Sequence, residues 1–541
     1  MNQIDKHSRP PFGGLFQYQI AFILIAVLAS GFLVACGVDL QNPPRLATAT
    51  AQAALPSPTR PGPLELVAPT ATPPAEGTNA PVSPPTGGIT TTEPFDSDGL
   101  TIWINETSPE HRAALNEITA EFADRHGINV AVQLVSPALL PELAATGVLS
   151  GTLPDLVMHP IEYTAGWVRN GILDAAAADE VVDSLGRHRF DPAALELLSV
   201  GAQTAAVPSD GFYQLLLYRA DWFEDFGLDT PDTYPAIAAA AERVFNPEEI
   251  ISGLVIPTES NLVTTHQAFE QIALANGCRL IDESGEVTIL EPACREAIEH
   301  YFTTINRFSP SGVQTDTSAA IAFLTGRTGL IMTSTAILPD LAGLNPSAAP
   351  TCDECDETEG GVNYLARNTG IVTEISGPNG GPTAFGNIRS LGITTAADRE
   401  LAQAFAEFWF DEGYERWLAV DSERKVPLQL GTSDEPRRFI DAWGTTPFGG
   451  SGLSLADIYG EEVVSRLREG IASAPRWGLR EGYGSLMTRL YDDFLFSIVL
   501  QEMLSGYFDT ETTLREAYRR TVDLIPNYAF PDRLAEEDEE L

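Results

Sequence analysis

The chain has 541 residues, 44% of them hydrophobic, and its 75 acidic residues against 32 basic ones give a formal net charge of -43 at pH 7. This balance excludes a general nucleic-acid or anionic-membrane surface, because such surfaces need clustered Lys and Arg side chains. We therefore expect no nucleic acid among the partners of this protein.

The first 35 residues have the layout of a secretory signal. A polar start containing Lys6 and Arg9 precedes an apolar run at 20–35, which is short for a membrane-spanning helix. The run ends at Leu33-Val34-Ala35-Cys36, which resembles the lipobox read by lipoprotein signal peptidases. We expect cleavage after residue 35 and lipid on Cys36, which would hold the protein on the extracytoplasmic face of the cell membrane. The alternative is a simple anchor helix in which Cys36 is incidental.

Residues 36–98 are predicted to form a disordered tether. Pro, Thr, Ala, Ser and Gly dominate this stretch, and it lacks the apolar periodicity that a folded core requires. From Gly99 onward the composition is that of a globular protein, long enough to predict two lobes and not one core. The acidic end at 531–541 is predicted to be a frayed tail.

The four cysteines that follow Cys36 are expected to form disulfides, because an exported domain with an even number of cysteines is typically oxidised. Three pairings are possible, and proximity favours Cys278 with Cys294 and Cys352 with Cys355. The alternative for the Cys-x-x-Cys pair is a metal or redox site. No second Cys or His pair follows it, so we predict no metal site.

The start of the globular part predicts a parallel sheet. A buried strand at 100–104 is followed by a helix at 109–125, a strand at 128–135, a helix at 139–149 and a strand at 156–158. Such alternation is the signature of an α/β domain.

The motifs along the chain resemble those of the extracellular solute-binding proteins of family 1, which include the maltose-binding receptors of ABC importers. The resemblance runs from about Gly99 to Pro526. The segments that carry it are Gly127-Ile128-Asn129-Val130, Leu153-Pro154-Asp155-Leu156-Val157, Leu217–Phe223, Gly227–Tyr234, Phe323–Met332, Ala402–Trp409 and Ala474-Pro475-Arg476. The resemblance implies a type II periplasmic-binding-protein-like α/β fold with two lobes and an interlobe ligand cleft.

The resemblance also implies how the chain divides between the lobes. We expect residues 99–210 and 386–428 in the first lobe, and 211–385 and 429–530 in the second. The crossovers are predicted near 208–211, 382–387 and 427–431, where Gly, Pro and Ser interrupt the pattern. One departure from the family is the segment 345–382, which is predicted to be an exposed loop. Another is the absence of a Trp directly after Met332.

Polar and aromatic residues at the implied strand ends are the candidate ligand contacts, because sugars bind aromatic faces and planar polar side chains. Each has a structural alternative, as a cap, a turn residue or part of the core. The candidates are Asn105, Glu106, His159, Glu162, Tyr163, Ser209, Asp210, Phe212, Tyr213, Thr333, Ser334, Gly386, Asn387, Arg389, Trp477 and Tyr483.

The family resemblance implies that the protein binds a small solute and is not an enzyme. We find no nucleophile elbow, phosphate-binding loop or zinc-protease motif, and we expect no cofactor. The favoured solute is a mono- or oligosaccharide, delivered by a monomer to the permease subunits of an ABC importer. The alternatives are a ligand-sensing or surface-interaction protein, a non-sugar solute and, least favoured, a glycoside hydrolase.

Overall fold

The computed structural model of the protein describes residues 99–447, 452–468, 470–471 and 474–529. The predicted signal peptide, Cys36, the tether and the acidic tail therefore lie outside the described residues. Among the helices of the described part, none is both long and apolar enough to cross a membrane.

Strands and helices alternate through most of the described chain. The strands are β1 Leu100–Ile104, β2 Val130–Leu134, β3 Leu156–Pro160, β4 Ser199–Val200, β5 Gln203–Thr204, β6 Val207–Arg219, β7 Ser252–Val255, β8 Thr328–Ser334, β9 Thr358–Glu359, β10 Val362–Asn363, β11 Thr369–Val372, β12 Phe385–Ile393 and β13 Val426–Pro427.

The helices in the first half of the described chain are α1 Pro109–His126, α2 Leu140–Ser150, α3 Thr164–Arg169, α4 Ala175–Leu185, α5 Pro192–Leu197, α6 Ala220–Phe226, α7 Tyr234–Val244, α8 Val263–Ala275, α9 Pro292–Phe308 and α10 Asp316–Leu324. Those in the second half are α11 Leu338–Leu341, α12 Tyr364–Arg367, α13 Arg399–Phe408, α14 Tyr414–Leu418, α15 Arg438–Ala442, α16 Leu455–Tyr459, α17 Glu461–Arg468, α18 Gly484–Asp492, α19 Leu495–Leu504 and α20 Thr510–Tyr528.

A nine-stranded sheet in the order β2-β1-β3-β12-β6-β8-β7, with β11 and β13 also paired to β6, organises the fold. Strand β1 pairs in parallel with both β2 and β3, which confirms the parallel sheet predicted from the sequence. The long strands β6 and β12 are antiparallel and run from the first lobe, built on β1–β3, into the second, built on β7, β8 and β11. We call these two strands the hinge strands.

Helix α1 shows how local sequence sets the element boundaries. The Ser108 side chain accepts a hydrogen bond from the backbone N–H of His111, which caps the first turn. The helix ends at Gly127, whose φ of 71° is readily reached by glycine. The chain then enters β2, and this confirms the helix end predicted at Gly127.

Each lobe has its own apolar core. In the first lobe Ile102 and Phe122 are fully buried in a cluster against α13 and α14. In the second lobe the side chains of β6 alternate between the two faces of the sheet, and they are part of a separate core on each face. Leu216 packs toward α7, α8 and α9, whereas Leu215 and Leu217 pack toward α10, α11 and α17.

The prediction of an exposed loop at 345–382 was wrong for the middle of the segment, although 356–361 and 378–382 are exposed. The segment contains β9, β10, α12 and β11, and β11 extends the main sheet by pairing Thr369–Val372 with β6. A Cβ atom on Gly370 would lie 2.1 Å from the Tyr218 ring, so glycine lets the two strands approach. The many Gly, Pro and acidic residues around this short strand hid it in the sequence.

Both predicted disulfides are present. Cys278 pairs with Cys294 and Cys352 pairs with Cys355. The first joins the segment after α8 to the first turn of α9 within the second-lobe core. The second closes a tight turn in the segment before β9.

Replacing Cys278 and Cys294 together by Ala should lower the free energy of unfolding by about 3 kcal/mol, because the disulfide closes a loop with a sequence separation of 16. The matched control is the double change of Cys352 and Cys355 to Ala, which opens a loop with a separation of only 3 and should cost less. Denaturant unfolding measures both. A larger loss from the short loop would contradict the loop-entropy explanation.

Candidate ligand site between the lobes

The hinge strands present one polar face at the point where the lobes meet. In the β6–β12 register Phe385 lies opposite Gln214, Asn387 opposite Phe212 and Arg389 opposite Asp210. Because side chains alternate along a strand, these residues share one face of the sheet. The carboxyl ends of β1 and β3 bring further polar side chains to the same face.

A carboxylate and four carboxamides form a buried cluster on this face, which we call the amide cluster: Glu162, Gln214, Gln267, Gln271 and Asn387. Glu162 Oε1 accepts hydrogen bonds from Gln267 Nε2 and Asn387 Nδ2, each at 3.3 Å. Gln214 Nε2 donates to Gln271 Oε1 at 2.7 Å. Glu162 follows β3 in the first lobe, Gln214 and Asn387 lie on the hinge strands, and helix α8 of the second lobe supplies the rest.

Arg476 borders the amide cluster and is held on several sides. Its Nε donates to Glu270 Oε1 at 3.1 Å and its Nη2 donates to the Tyr491 hydroxyl at 3.0 Å. Tyr491 in turn donates to Glu270 Oε2 at 2.7 Å. The guanidinium carbon lies 4.6 Å from the centre of the Phe385 ring. Arg476, Glu270 and Tyr491 thus form a closed ionic triad beside the carboxamides.

A second charged group lies on the first-lobe side, and we call it the Arg389 cluster. Arg389 bridges the carboxylates of Asp210 and Glu106 and is itself buried. Asp210 Oδ2 also accepts hydrogen bonds from Trp417 Nε1 at 2.8 Å and Ser209 Oγ at 2.7 Å. Burial opposes ionisation of Glu106, but the neighbouring Arg389 and other cations hold the pKa of its carboxyl below the ordinary value.

Lys425 is buried beneath the Arg389 cluster. Its Nζ lies 3.7 Å from the centre of the Trp417 ring and donates to the Trp417 carbonyl at 2.8 Å. His111 Nε2 lies 3.0 Å from the same nitrogen and accepts another hydrogen bond from it. Burial, together with Arg389, lowers the pKa of Lys425 to about 7. Burial likewise lowers the pKa of His111 to about 3, so His111 is neutral near pH 7.

The free energy of unfolding should rise with pH between 7 and 10.5 because the pKa of Lys425 is lowered from 10.5 to about 7 on folding. In that window the unfolded chain binds the proton that folded Lys425 has lost, so raising the pH favours the folded state. Lys425→Met should flatten this rise in urea unfolding measured across the window. The control, Arg437→Met at an exposed position, should leave it unchanged. An equal slope in the parent and Lys425→Met would contradict the assignment.

A family model that matches a large part of the sequence identifies the family of the chain. Residues 117–426, more than half of the sequence, match the model of the family described as bacterial extracellular solute-binding protein. The chain belongs to this family. The family consists of binding proteins, which confirms the expectation of a binding protein in place of an enzyme.

Individual relatives of this solute-binding protein are distant. The putative ABC transporter periplasmic-binding protein YcjN of Escherichia coli K12 is 24% identical over 233 residues, 42% of this chain and 54% of that relative. The match therefore spans about half the length of that curated protein.

Solved structures share the fold. A ribitol-bound ABC transporter solute-binding protein from Agrobacterium radiobacter K84 has a TM-score of 0.59 at 18% identity, covering 80% of this chain and 100% of that one. Maltose-bound MalE3 of T. maritima has a TM-score of 0.60 at 17% identity, covering 78% of this chain and 99% of its own. These likenesses confirm the two-lobe α/β fold class.

Several residues predicted from the sequence meet at the interlobe face of this solute-binding protein. Glu162 and Asn387 lie in the amide cluster, and Glu106, Ser209, Asp210 and Arg389 lie in the Arg389 cluster. Phe212 is half-buried on the same face of β6, and Asn105 is buried directly after β1. Gly386 contributes its carbonyl, which accepts from Arg476 at 3.4 Å.

Other predicted residues lie elsewhere. His159 and Tyr163 pack against Trp167 in the first lobe, with ring centres 5.1 and 5.4 Å away. Tyr213 points to the opposite face of β6, where it lines a cavity of about 580 Å³ together with Glu374 and Pro475.

The remaining predicted residues have structural surroundings of their own. Thr333 and Ser334 are half-buried at the end of β8, and Ser334 caps the following turn. Trp477 is packed in the second-lobe core and donates from its ring N–H to the Cys278 carbonyl at 3.0 Å. Tyr483 lies against Gly285. The contribution of these residues to ligand binding stays a prediction.

Sequence reasoning missed Gln214, Arg476, Tyr491 and the whole polar face of helix α8. That face carries His266, Gln267, Glu270 and Gln271, all nearly inaccessible to solvent. Their spacing places four polar side chains on one side of a helix whose second half is otherwise apolar, which was a readable signal of a buried polar site. In the described part of the chain, no group of His, Cys, Asp and Glu could hold a metal ion.

Proposed function

We propose that this protein captures a polyhydroxylated solute, a sugar, oligosaccharide or polyol, and passes it to the permease subunits of an ABC importer. The observation that carries the proposal is the amide cluster, which joins the first lobe, the hinge strands and the second lobe through hydrogen bonds. A ligand that enters between the lobes would form hydrogen bonds with the polar atoms of this cluster.

The chemistry of the cluster suits hydroxyl groups. Each carboxamide offers donors and an acceptor in one plane, and a carboxylate offers acceptors, so a hydroxyl can both donate and accept there. The sugar and polyol ligands named for the similar structures support this substrate class.

Calorimetric titration of the full chain with a panel of sugars and polyols tests the proposal. At least one should bind, and Gln267→Leu should weaken it by about tenfold, because the change removes a buried hydrogen-bonding amide. Gln403→Leu is the matched control, since Gln403 lies on helix α13 and bonds to Ala177 and Glu180 in the first lobe. Failure of the whole panel to bind would overturn the proposed substrate class.

The proposal includes a lipid anchor at Cys36, on the strength of the signal-like segment and lipobox at the start of the chain. An anchored receptor stays beside its membrane transporter, and the tether predicted at 36–98 would let the lobes lie away from the membrane surface. Metabolic labelling with a lipid analogue should mark the parent and not Cys36→Ala. Equal labelling of both proteins would remove the anchor from the proposal and leave solute binding in place.

A further inference from the structure

Two buried oxygens in the amide cluster have no hydrogen-bond partner in the described part of the chain. They are Glu162 Oε2 and Asn387 Oδ1, on two side chains already joined by a hydrogen bond through their other polar atoms. Glu162 is 2% exposed and Asn387 5% exposed, so solvent contributes little to either oxygen. Buried acceptors without a donor cost free energy, which a ligand with hydrogen-bond donors can recover.

The neighbouring donor groups all have hydrogen-bond partners of their own. Gln267 Nε2 and Asn387 Nδ2 both donate to Glu162 Oε1. The guanidinium of Arg476 donates to Glu270, to Tyr491 and to a backbone carbonyl, and it acts on Glu162 through its charge alone. Because no donor of the described residues bonds to the two oxygens, a ligand can supply one.

An ammonium group is a better donor to these two acceptor oxygens than a hydroxyl group. It carries three N–H donors and a positive charge, whereas a hydroxyl carries one donor, and charge-assisted hydrogen bonds are stronger than neutral ones. Burial raises the pKa of Glu162, and a cation seated beside this carboxyl would favour its ionised form. The formal net charge of -43 also favours the approach of a cation over that of an anion.

We propose that the solute carries a protonated amine that donates to Glu162 Oε2 and Asn387 Oδ1, so that the substrate class is an amino sugar or an amino-substituted polyol. This inference rests on the proposed function, because the hydroxyl groups of the same solute bind the remaining carboxamides. Glu162 is then the residue that sets specificity for the amine.

Calorimetric titration of the full chain with matched pairs tests this specificity. Each pair is an amine and its hydroxyl counterpart: glucosamine and glucose, galactosamine and galactose, 6-amino-6-deoxyglucose and glucose, and glucamine and sorbitol, all below the pKa of the amine. In at least one pair the amine should bind more tightly by about tenfold to a hundredfold. Glu162→Gln should bring the ratio of the two affinities in that pair close to one. Glu415→Gln, which removes a carboxylate at an exposed position, should retain the preference for the amine.

Each possible result of these titrations supports or contradicts the amine assignment. Neutral members that bind as tightly as the amines overturn the amine assignment and leave the proposed function standing. A panel without any binding overturns both. An amine preference that survives in Glu162→Gln removes Glu162 from its role. Should Glu162→Gln fail to show a cooperative thermal transition, Asn387→Ala provides the second test, because it deletes the other free acceptor and should also reduce the preference.

Discussion

Replacing Arg389 by Ala should lower the free energy of unfolding by about 3–5 kcal/mol, because the change removes the ion-pair partner of the buried Asp210 and leaves the buried Glu106 with Arg424 alone, at 3.5 Å. Arg389 Nε donates to Asp210 Oδ1 at 2.7 Å, and its other nitrogens bond Asp210 and Glu106. Asp210 is fully buried and Glu106 is 6% exposed, so water cannot replace the lost partner. Denaturant unfolding followed by tryptophan fluorescence measures the loss.

An exposed ion pair provides the control for this prediction. Arg399 bonds Asp174 at 3.2 Å and Glu180 at 2.8 Å, but 40% of its side chain is exposed. Arg399→Ala should therefore cost no more than about 1 kcal/mol. Adding Asp210→Asn and Glu106→Gln to the Arg389→Ala protein should recover part of its stability. If the added changes destabilise it further, the loss does not come from uncompensated charge.

Local patterns predicted the five elements between residues 100 and 158 correctly because apolar periodicity and caps act within a few residues. Helix α1 needs only Ser108 and Gly127 at its ends and Leu115 and Phe122 on its buried face. Polar residues directly after β1 and β3 were also predictable, since strand ends meet at one edge of a parallel sheet.

The partners of those residues were not predictable, because they depend on how distant elements pack. Gln267 reaches Glu162 across 105 positions of sequence, and Asn387 reaches it across 225. Trp477 illustrates a second limit of local sequence patterns. An aromatic residue suits either a ligand wall or an apolar core, and the packing of α8 and α19 around Trp477 places it in the core.

Replacing Gly166 by Leu should weaken ligand binding by about fivefold to a hundredfold, because it obstructs the contact between the lobes. Helix α3 of the first lobe packs on helix α18 of the second, and a Cβ atom on Gly166 would lie 2.5 Å from the Thr488 side chain. The Gly166 backbone N–H donates to Thr488 Oγ1 at 3.1 Å, and that hydroxyl donates to the Glu162 carbonyl at 2.7 Å. The contact thus adjoins the amide cluster.

A side chain at position 166 should raise the free energy of the closed form by about 1–3 kcal/mol, the usual cost of overpacking. Since the solute binds both lobes, its apparent affinity falls as the closed population falls. Small-angle X-ray scattering should show a larger radius of gyration for Gly166→Leu, and calorimetry should show weaker binding. Gly381→Leu is the control, because a Cβ atom added there would meet no described atom within 4 Å beyond its chain neighbours. Unchanged affinity and radius in Gly166→Leu would mean that the α3–α18 contact does not report on closure.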